Sequence, residues 1–151
     1  MMSTGGMEIF LVEDNPLDRE LTIRSLEEHG LKGRILVATD GAEAIDIIQE
    51  SALTDLKLAL VDLKLPKKDG FEVITALRSS KRTKLLPVVV FSSSEEQSDI
   101  RRCYEAGANS YIVKPIHYEQ IGKAISQVCD YWRTWNKTVV GMQTSDVSIG
   151  K

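Results

Sequence analysis

Leu58-Ala59-Leu60-Val61-Asp62-Leu63-Lys64-Leu65-Pro66, followed by Lys67-Lys68-Asp69-Gly70, is the stretch on which the reading of the whole chain turns. An apolar run ends in a carboxylate and is bounded downstream by Pro and Gly, the pattern of a buried strand with Asp62 at its carboxyl end. A charge half out of the core is costly unless neighbouring groups use it. An Asp at such a place can also do no more than open a turn. The choice between the two rests on the partners that the remaining residues supply.

The chain has 151 residues, 42% hydrophobic and 27% charged, which suits one soluble domain with a sizeable core and leaves no room for a second. Its formal net charge of -3 argues against general binding to nucleic acid, which needs a basic face to displace counterions. Met1 to Met7 has neither a charged start nor an apolar run, and no later run approaches bilayer length, so a cytoplasmic protein is expected. Cys103 and Cys129 each fall inside a helical pattern without metal-ligand spacing and read as buried free thiols.

Working outward, two hydrophobic periods alternate. Ile9 to Val12 reads as a strand, and Asn15-Pro16 as an N-cap and first helical residue. The helix that follows is expected to turn Leu17, Leu21 and Leu26 inward and to stop at Gly30. Ile35 to Ala38 is a second strand, and Asp40 with Glu43 caps a helix carrying Ala44, Ile45 and Ile48 at helical spacing. Phe71, Ile74 and Leu77 line the helix after the Asp62 strand. Pro87 introduces a fourth strand, Val88 to Phe91, which runs into Ser92-Ser93-Ser94. Ser94 and Gln97 are expected to form a capping box for a helix ending at Gly107. Ser110 to Val113 is the fifth strand, closed by Lys114-Pro115. Ile121, Ala124, Ile125, Val128, Cys129 and Trp132 share one face of the last helix. The domain is expected to span 8–135, between a disordered N-terminus (1–7) and a Thr/Ser-rich tail (136–151).

Strands alternating with helices imply an α/β fold, a parallel sheet covered on both sides. Ligands of such sheets bind at the carboxyl ends of the strands. Glu13-Asp14, Asp62, Ser92 and Lys114 each fall at such an end. Converging carboxylates repel one another unless a cation joins them, and a site of hard oxygens without His or Cys suits Mg²⁺. An Asp62 oxygen could then attack a phosphoryl group whose charge the metal and Lys114 neutralise, with Ser92 hydrogen-bonding the product. The glycine-rich turn of a dinucleotide-binding fold is missing, since Glu13-Asp14-Asn15-Pro16 stands in its place.

On these residues the chain resembles the receiver domain of two-component response regulators, the CheY-like family, over about Ile9 to Trp132. The resemblance implies a five-stranded, flavodoxin-like (βα)5 single domain with strand order 2-1-3-4-5. It makes Asp62 the acceptor of a phosphoryl group from a histidine kinase or phosphotransfer protein, and Glu13 and Asp14 the acidic Mg²⁺ pair. Lys64 would give the metal a backbone carbonyl. Ser92 resembles the family's switch Ser/Thr, Tyr111 its mobile aromatic and Lys114-Pro115 the family's lysine with its cis peptide bond, a form accessible at small cost only before proline. The Leu65 to Gly70 block and the Tyr131-Trp132 ending further resemble stand-alone regulators of phytochrome kinases. Relatives there often carry Asn in place of Lys64, and the wider family favours Ala or Gly in place of Ser93. Both differences bear on phosphoryl lifetime and on access to Asp62.

What the resemblance implies is a single-domain phosphorelay switch rather than an enzyme, with self-phosphorylation and self-dephosphorylation as its only chemistry. Ser92 would move toward the phosphoryl group, Tyr111 would turn inward, and the surface of helix four, strand five and helix five would change for a protein target. A Mg²⁺-dependent aspartyl-phosphate phosphohydrolase is the alternative, but such enzymes commonly place a second acid two residues after the nucleophile, where this chain has Lys64. A receiver-shaped module that binds without phosphorylation is the third reading, and the intact set of Asp62, Glu13, Asp14, Ser92 and Lys114 speaks against it. Trp132 is expected to close the core. Trp135 is expected at the surface; alternatively the two tryptophans together form a homodimer or partner contact. His29 and His117 are expected at the surface.

Overall fold

The computed structural model describes residues 6–50, 53 and 55–139. In chain order they form β1 (Ile9–Val12), α1 (Pro16–Leu26), β2 (Ile35–Ala38), α2 (Gly41–Glu50), β3 (Leu58–Val61), α3 (Gly70–Ser79), β4 (Val88–Ser92), α4 (Gln97–Ala106), β5 (Ser110–Val113) and α5 (Glu119–Cys129). α1 and α5 run on into wide turns, Glu27–Leu31 and Asp130–Trp135. The strands make one parallel sheet in the order β2-β1-β3-β4-β5, as expected of a flavodoxin-like single domain.

Strand composition explains the order. β1, β3 and β4 are buried along their whole length and occupy the centre, whereas β2 and β5 are only partly covered and form the edges. Successive side chains point to opposite faces. Phe10, Val12, Ala59, Val61, Val88 and Val90 therefore pack with Ile48, Ile74 and Leu77, while Ile9, Leu11, Leu58, Leu60 and Val89 pack with Leu26, Ile121 and Ile125. Two cores result, one on each side of the sheet. Cys103 lies in the first and Cys129 in the second, both as buried free thiols.

Three local readings need correction. Leu17, in the first turn of α1 beside the Asn15 cap, is 41% exposed, and Thr22, Ser25 and Leu26 take the inner face of the helix. Ser94 and Gln97 form no capping box. α4 begins at Gln97 after Glu96, and the Ser94 hydroxyl instead donates to Asp99 Oδ2 at 2.6 Å while accepting from the Glu96 amide. His29 is half-buried rather than a surface residue. Its Nδ1 lies 2.9 Å from the Ser25 carbonyl and its Nε2 lies 3.0 Å from Ser126 Oγ, joining α1 to α5. A carbonyl only accepts, so Nδ1 carries a proton. His117 is exposed.

Met7 packs against the first core, whereas residues 1–5 and 140–151, most of the expected terminal segments, lie outside the described residues. Trp132 packs against the second core, and Trp135 is 72% exposed. The turn carrying both is pinned by Arg133, which donates from Nε to Glu8 at 3.2 Å and from Nη1 to the His29 carbonyl at 3.1 Å. Glu8 is buried and also meets Arg34 at 3.1 Å and Lys57 at 3.8 Å. Its cations are partly exposed and return to water when it is removed. Glu8→Gln is therefore expected to cost about 1–2 kcal/mol, a charge-assisted hydrogen bond's worth, in urea unfolding followed by tryptophan fluorescence.

Candidate functional site

The polar residues singled out at the strand ends meet because the sheet register brings them level. Val12 pairs with Val61, so Glu13 and Asp62 leave adjacent strands at the same height. The Asp62 amide donates to the Val12 carbonyl at 3.0 Å and the Glu13 amide to the Ala38 carbonyl at 3.1 Å. On the other side Ser92 pairs with Val113, and the Lys114 amide donates to the Ser92 carbonyl at 2.7 Å. Glu13, Asp62 and Ser92 are buried, and Asp14 is half-buried.

Close approach of backbone to backbone sets the floor of the cleft. Asp69 caps α3 by accepting from the Glu72 amide at 3.0 Å, and the next residue, Gly70, lies flat against the end of β3. A Cβ there would overlap the Asp62 carbonyl oxygen, and the Gly70 amide donates to the Leu63 carbonyl at 2.9 Å. Gly41 plays the same part at the start of α2, where a Cβ would overlap the Lys68 carbonyl oxygen. Lys67, at φ +71, and its 3.4 Å ion pair with Asp40 hold the loop after Asp62 in that position.

Lys114 reaches across the cleft. Its ammonium lies 2.7 Å from Glu13 Oε1, 2.8 Å from Asp18 Oδ2 and 3.0 Å from Asp62 Oδ2. The other Asp62 oxygen accepts from the Leu63 amide at 2.7 Å. Burial alone would depress the lysine, but Asp62, Asp18 and Glu13 outweigh it and hold its pKa above the ordinary value. Burial, reinforced by the charge of Asp62, pushes the Glu13 carboxyl up to about 8. Its folded pKa is raised above the unfolded 4.5, so its contribution to stability is fully present below about pH 4.5 and is lost as pH rises through about 8. Thermal melts in chelator should fall across that window, and Asp62→Asn, which removes the repelling charge, should flatten the fall.

Oxygens of Glu13, Asp14 and Asp62 lie within 4.8 Å of one another. All are hard carboxylate donors, a set that fits a small divalent cation such as Mg²⁺. Lys64 is exposed two residues beyond Asp62, and Ser93 is exposed beside Ser92. Ser92 Oγ accepts from the Ser94 amide at 3.3 Å, and the Tyr111 hydroxyl donates to the Ser94 carbonyl at 2.9 Å. Tyr111 is thus packed on the first core and bonded to the loop after β4, and burial raises its phenol pKa. The Lys114–Pro115 bond is trans, correcting the cis form that the resemblance implied, in keeping with the intrinsic preference of such bonds.

Sequence reading missed Asp18 and Arg19. Asp18 is in the first turn of α1, and Arg19 Nη1 donates to the carbonyls of Glu13 and Asp14, at 3.1 Å each. Both follow the acidic pair by about one helical turn, a spacing that folds back on the strand end once Asn15-Pro16 starts the helix.

Residues 9–126 match the response regulator receiver domain. The chain belongs to that family. The chain is similar to the probable methanogenesis regulatory protein FilR2 of Methanothrix harundinacea, 38% identical over 86% of each chain. The response regulator Rcp1 of Synechocystis is 30% identical over 82% of this chain and 87% of its own. The crystal structure of the phosphorylated cyanobacterial phytochrome response regulator RcpA superposes with a TM-score of 0.81 at 32% identity, covering 89% of this chain and 99% of that one. Rcp1 has also been solved in an Mn²⁺-bound form, 27% identical, with a TM-score of 0.78 over 89% of this chain and 99% of that one. Response regulator receiver domains are signalling proteins that work with a histidine kinase or a phosphotransfer protein. Among the described residues no helix is long and apolar enough to cross a membrane.

Proposed function

We propose that this receiver domain takes a phosphoryl group from a histidine kinase on Asp62, with Mg²⁺, and switches a protein-binding surface in response. The observation that carries the reading is the Lys114 ammonium 3.0 Å from Asp62, in a cleft whose acidic oxygens lie within 4.8 Å of one another. Glu13, Asp14, Asp62 and the Lys64 carbonyl would hold the cation, which when bound neutralises phosphoryl oxygens. Asp62 attacks phosphorus, the phosphorus–nitrogen bond of the donor breaks, and the histidine, protonated on its other ring nitrogen in the phosphorylated donor, leaves as neutral imidazole. Lys114 offers its ammonium to the phosphoryl oxygens and Ser92 its hydroxyl.

Ser92 and Tyr111 both bond the backbone of Ser94, Ser92 Oγ accepting from its amide and the Tyr111 hydroxyl donating to its carbonyl, which supports a route from the cleft to α4 and β5. Movement of the Ser92 hydroxyl toward a phosphoryl group gives up the Ser94 amide and frees the loop that Tyr111 holds. Exposed Tyr104 and Val113 on that side, with Ile116 and Tyr118 ahead of α5, offer the contact surface. The likeness to RcpA, a cyanobacterial phytochrome response regulator, supports a phytochrome-type kinase as donor. Incubation with acetyl phosphate and Mg²⁺ followed by intact mass tests the proposal: the expected result is a gain of one phosphoryl group that requires the cation and disappears in Asp62→Asn. Continuous turnover of the phosphodonor without a persisting adduct, or no adduct at all, would overturn it.

A further inference from the structure

Lys114 is served by more acids than the proposed chemistry employs. Its ammonium has three hydrogens, and they face Glu13 at 2.7 Å, Asp18 at 2.8 Å and Asp62 at 3.0 Å. Glu13 and Asp62 also belong to the oxygens suited to a cation, so two positive groups compete for them. Asp18 is outside that set, and its 2.8 Å contact with Lys114 is its only ion pair among the described residues. When a cation and a phosphoryl group occupy Glu13 and Asp62, Asp18 is the partner that Lys114 keeps.

Asp18 is also well fixed. It lies in the first turn of α1, where its amide donates to the Asn15 cap at 2.9 Å. Its neighbour Arg19 clasps the carbonyls of Glu13 and Asp14, so the first turn of α1 and the acidic loop form one unit. The Asp18 side chain is only 14% exposed and that of Lys114 only 8%, which shields the pair from the screening that weakens surface ion pairs. Lysine otherwise carries a compact charge on a flexible four-carbon stem and gains most from such a restraint.

We propose that Asp18 is a positioning residue that tethers the Lys114 ammonium to the α1 side of the cleft and so presents it to the phosphoryl group. The inference deepens the phosphoacceptor reading and rests on it. Asp18 accepts a hydrogen bond from one ammonium N–H, limits competition between Lys114 and the cation for Glu13 and Asp62, and keeps the lysine in place after Asp62 is modified.

A double-mutant cycle separates this role from a structural one. Phosphoryl uptake from acetyl phosphate at saturating Mg²⁺ is followed by intact mass in wild type, Asp18→Asn, Lys114→Met and the double variant. Asp18→Asn keeps size and loses charge, and should slow uptake about tenfold, the usual effect of losing a group that orients another. In the Lys114→Met background the same change should alter the rate by less than about twofold. Asp18→Glu, still charged, should recover most of the loss. An unchanged rate in Asp18→Asn, or an equal loss in both backgrounds, would overturn the tether. NMR of the ¹⁵N-labelled lysine ammonium supplies a readout that needs no phosphorylation: a slowly exchanging Lys114 signal is expected in wild type and lost in Asp18→Asn, and a signal indifferent to that change also overturns the tether. Failure of wild-type uptake counts against the phosphoacceptor reading, and the ammonium spectrum then decides on Asp18 alone.

Discussion

Gly70→Ala is expected to destabilise the domain by about 3 kcal/mol and to slow phosphoryl uptake at Asp62, although it adds a single methyl group. The new Cβ would overlap the Asp62 carbonyl oxygen and lie 2.6 Å from the Leu63 Cα. Both are backbone atoms. They sit at the end of a central strand bonded to β1 and β4 on its two sides, so they cannot yield as a side chain would. α3 must therefore move, stretching the hydrogen bond from the Gly70 amide to the Leu63 carbonyl and turning the Asp62 peptide. Gly122→Ala is the contrasting case, since nothing lies within 4 Å of a Cβ there and the residue is inside α5. That change should stabilise the protein by about 0.5–1 kcal/mol through helix propensity. Urea unfolding of both variants checks the signs. Equal stabilities would show that the β3–α3 contact is slack.

Lys114→Met should move two measurements in opposite directions. Phosphoryl uptake is expected to fall about a hundredfold, because a preorganised cation no longer meets the charge on the phosphoryl oxygens. Mg²⁺ binding is expected to tighten, because the ammonium within 3.0 Å of Glu13 and Asp62 no longer competes for their oxygens. Without the cation the variant should also be less stable, since Glu13, Asp18 and Asp62 are left without their shared counter-charge. Mg²⁺ titration by calorimetry, alongside uptake by intact mass, checks the pair. Uptake at the wild-type rate would remove Lys114 from the proposed chemistry.

Much of this arrangement was legible in the chain. The continuous apolar runs of the central strands and the alternating helical periods suffice for a parallel sheet, because a strand buried on both faces carries few polar residues. A polar residue directly after such a run must emerge at the carboxyl edge, so residue order alone brings Glu13, Asp62, Ser92 and Lys114 to one end of the sheet. Capping was less legible. Asn15 and Asp69 cap as a short polar side chain before a helix should, but Ser94 was drawn off to Asp99 and Tyr111 by contacts formed only in the folded loop. His29 likewise joins Ser25 to Ser126, distant in sequence, and nothing local announces that pairing.

The amino-acid order alone placed the chemistry at the carboxyl end of a parallel sheet and made the site one of hard oxygens and one lysine. Those properties follow from hydrophobic period and residue type, which act locally. Only the tertiary structure decided how the charges are shared: that Lys114 meets Asp18 as well as Glu13 and Asp62, that Glu13 is pushed up to about 8, and that Gly41 and Gly70 admit no side chain. Each of these depends on distances between segments far apart in the chain. Burial and Coulomb energies change steeply over a few ångströms, and only packing fixes such distances.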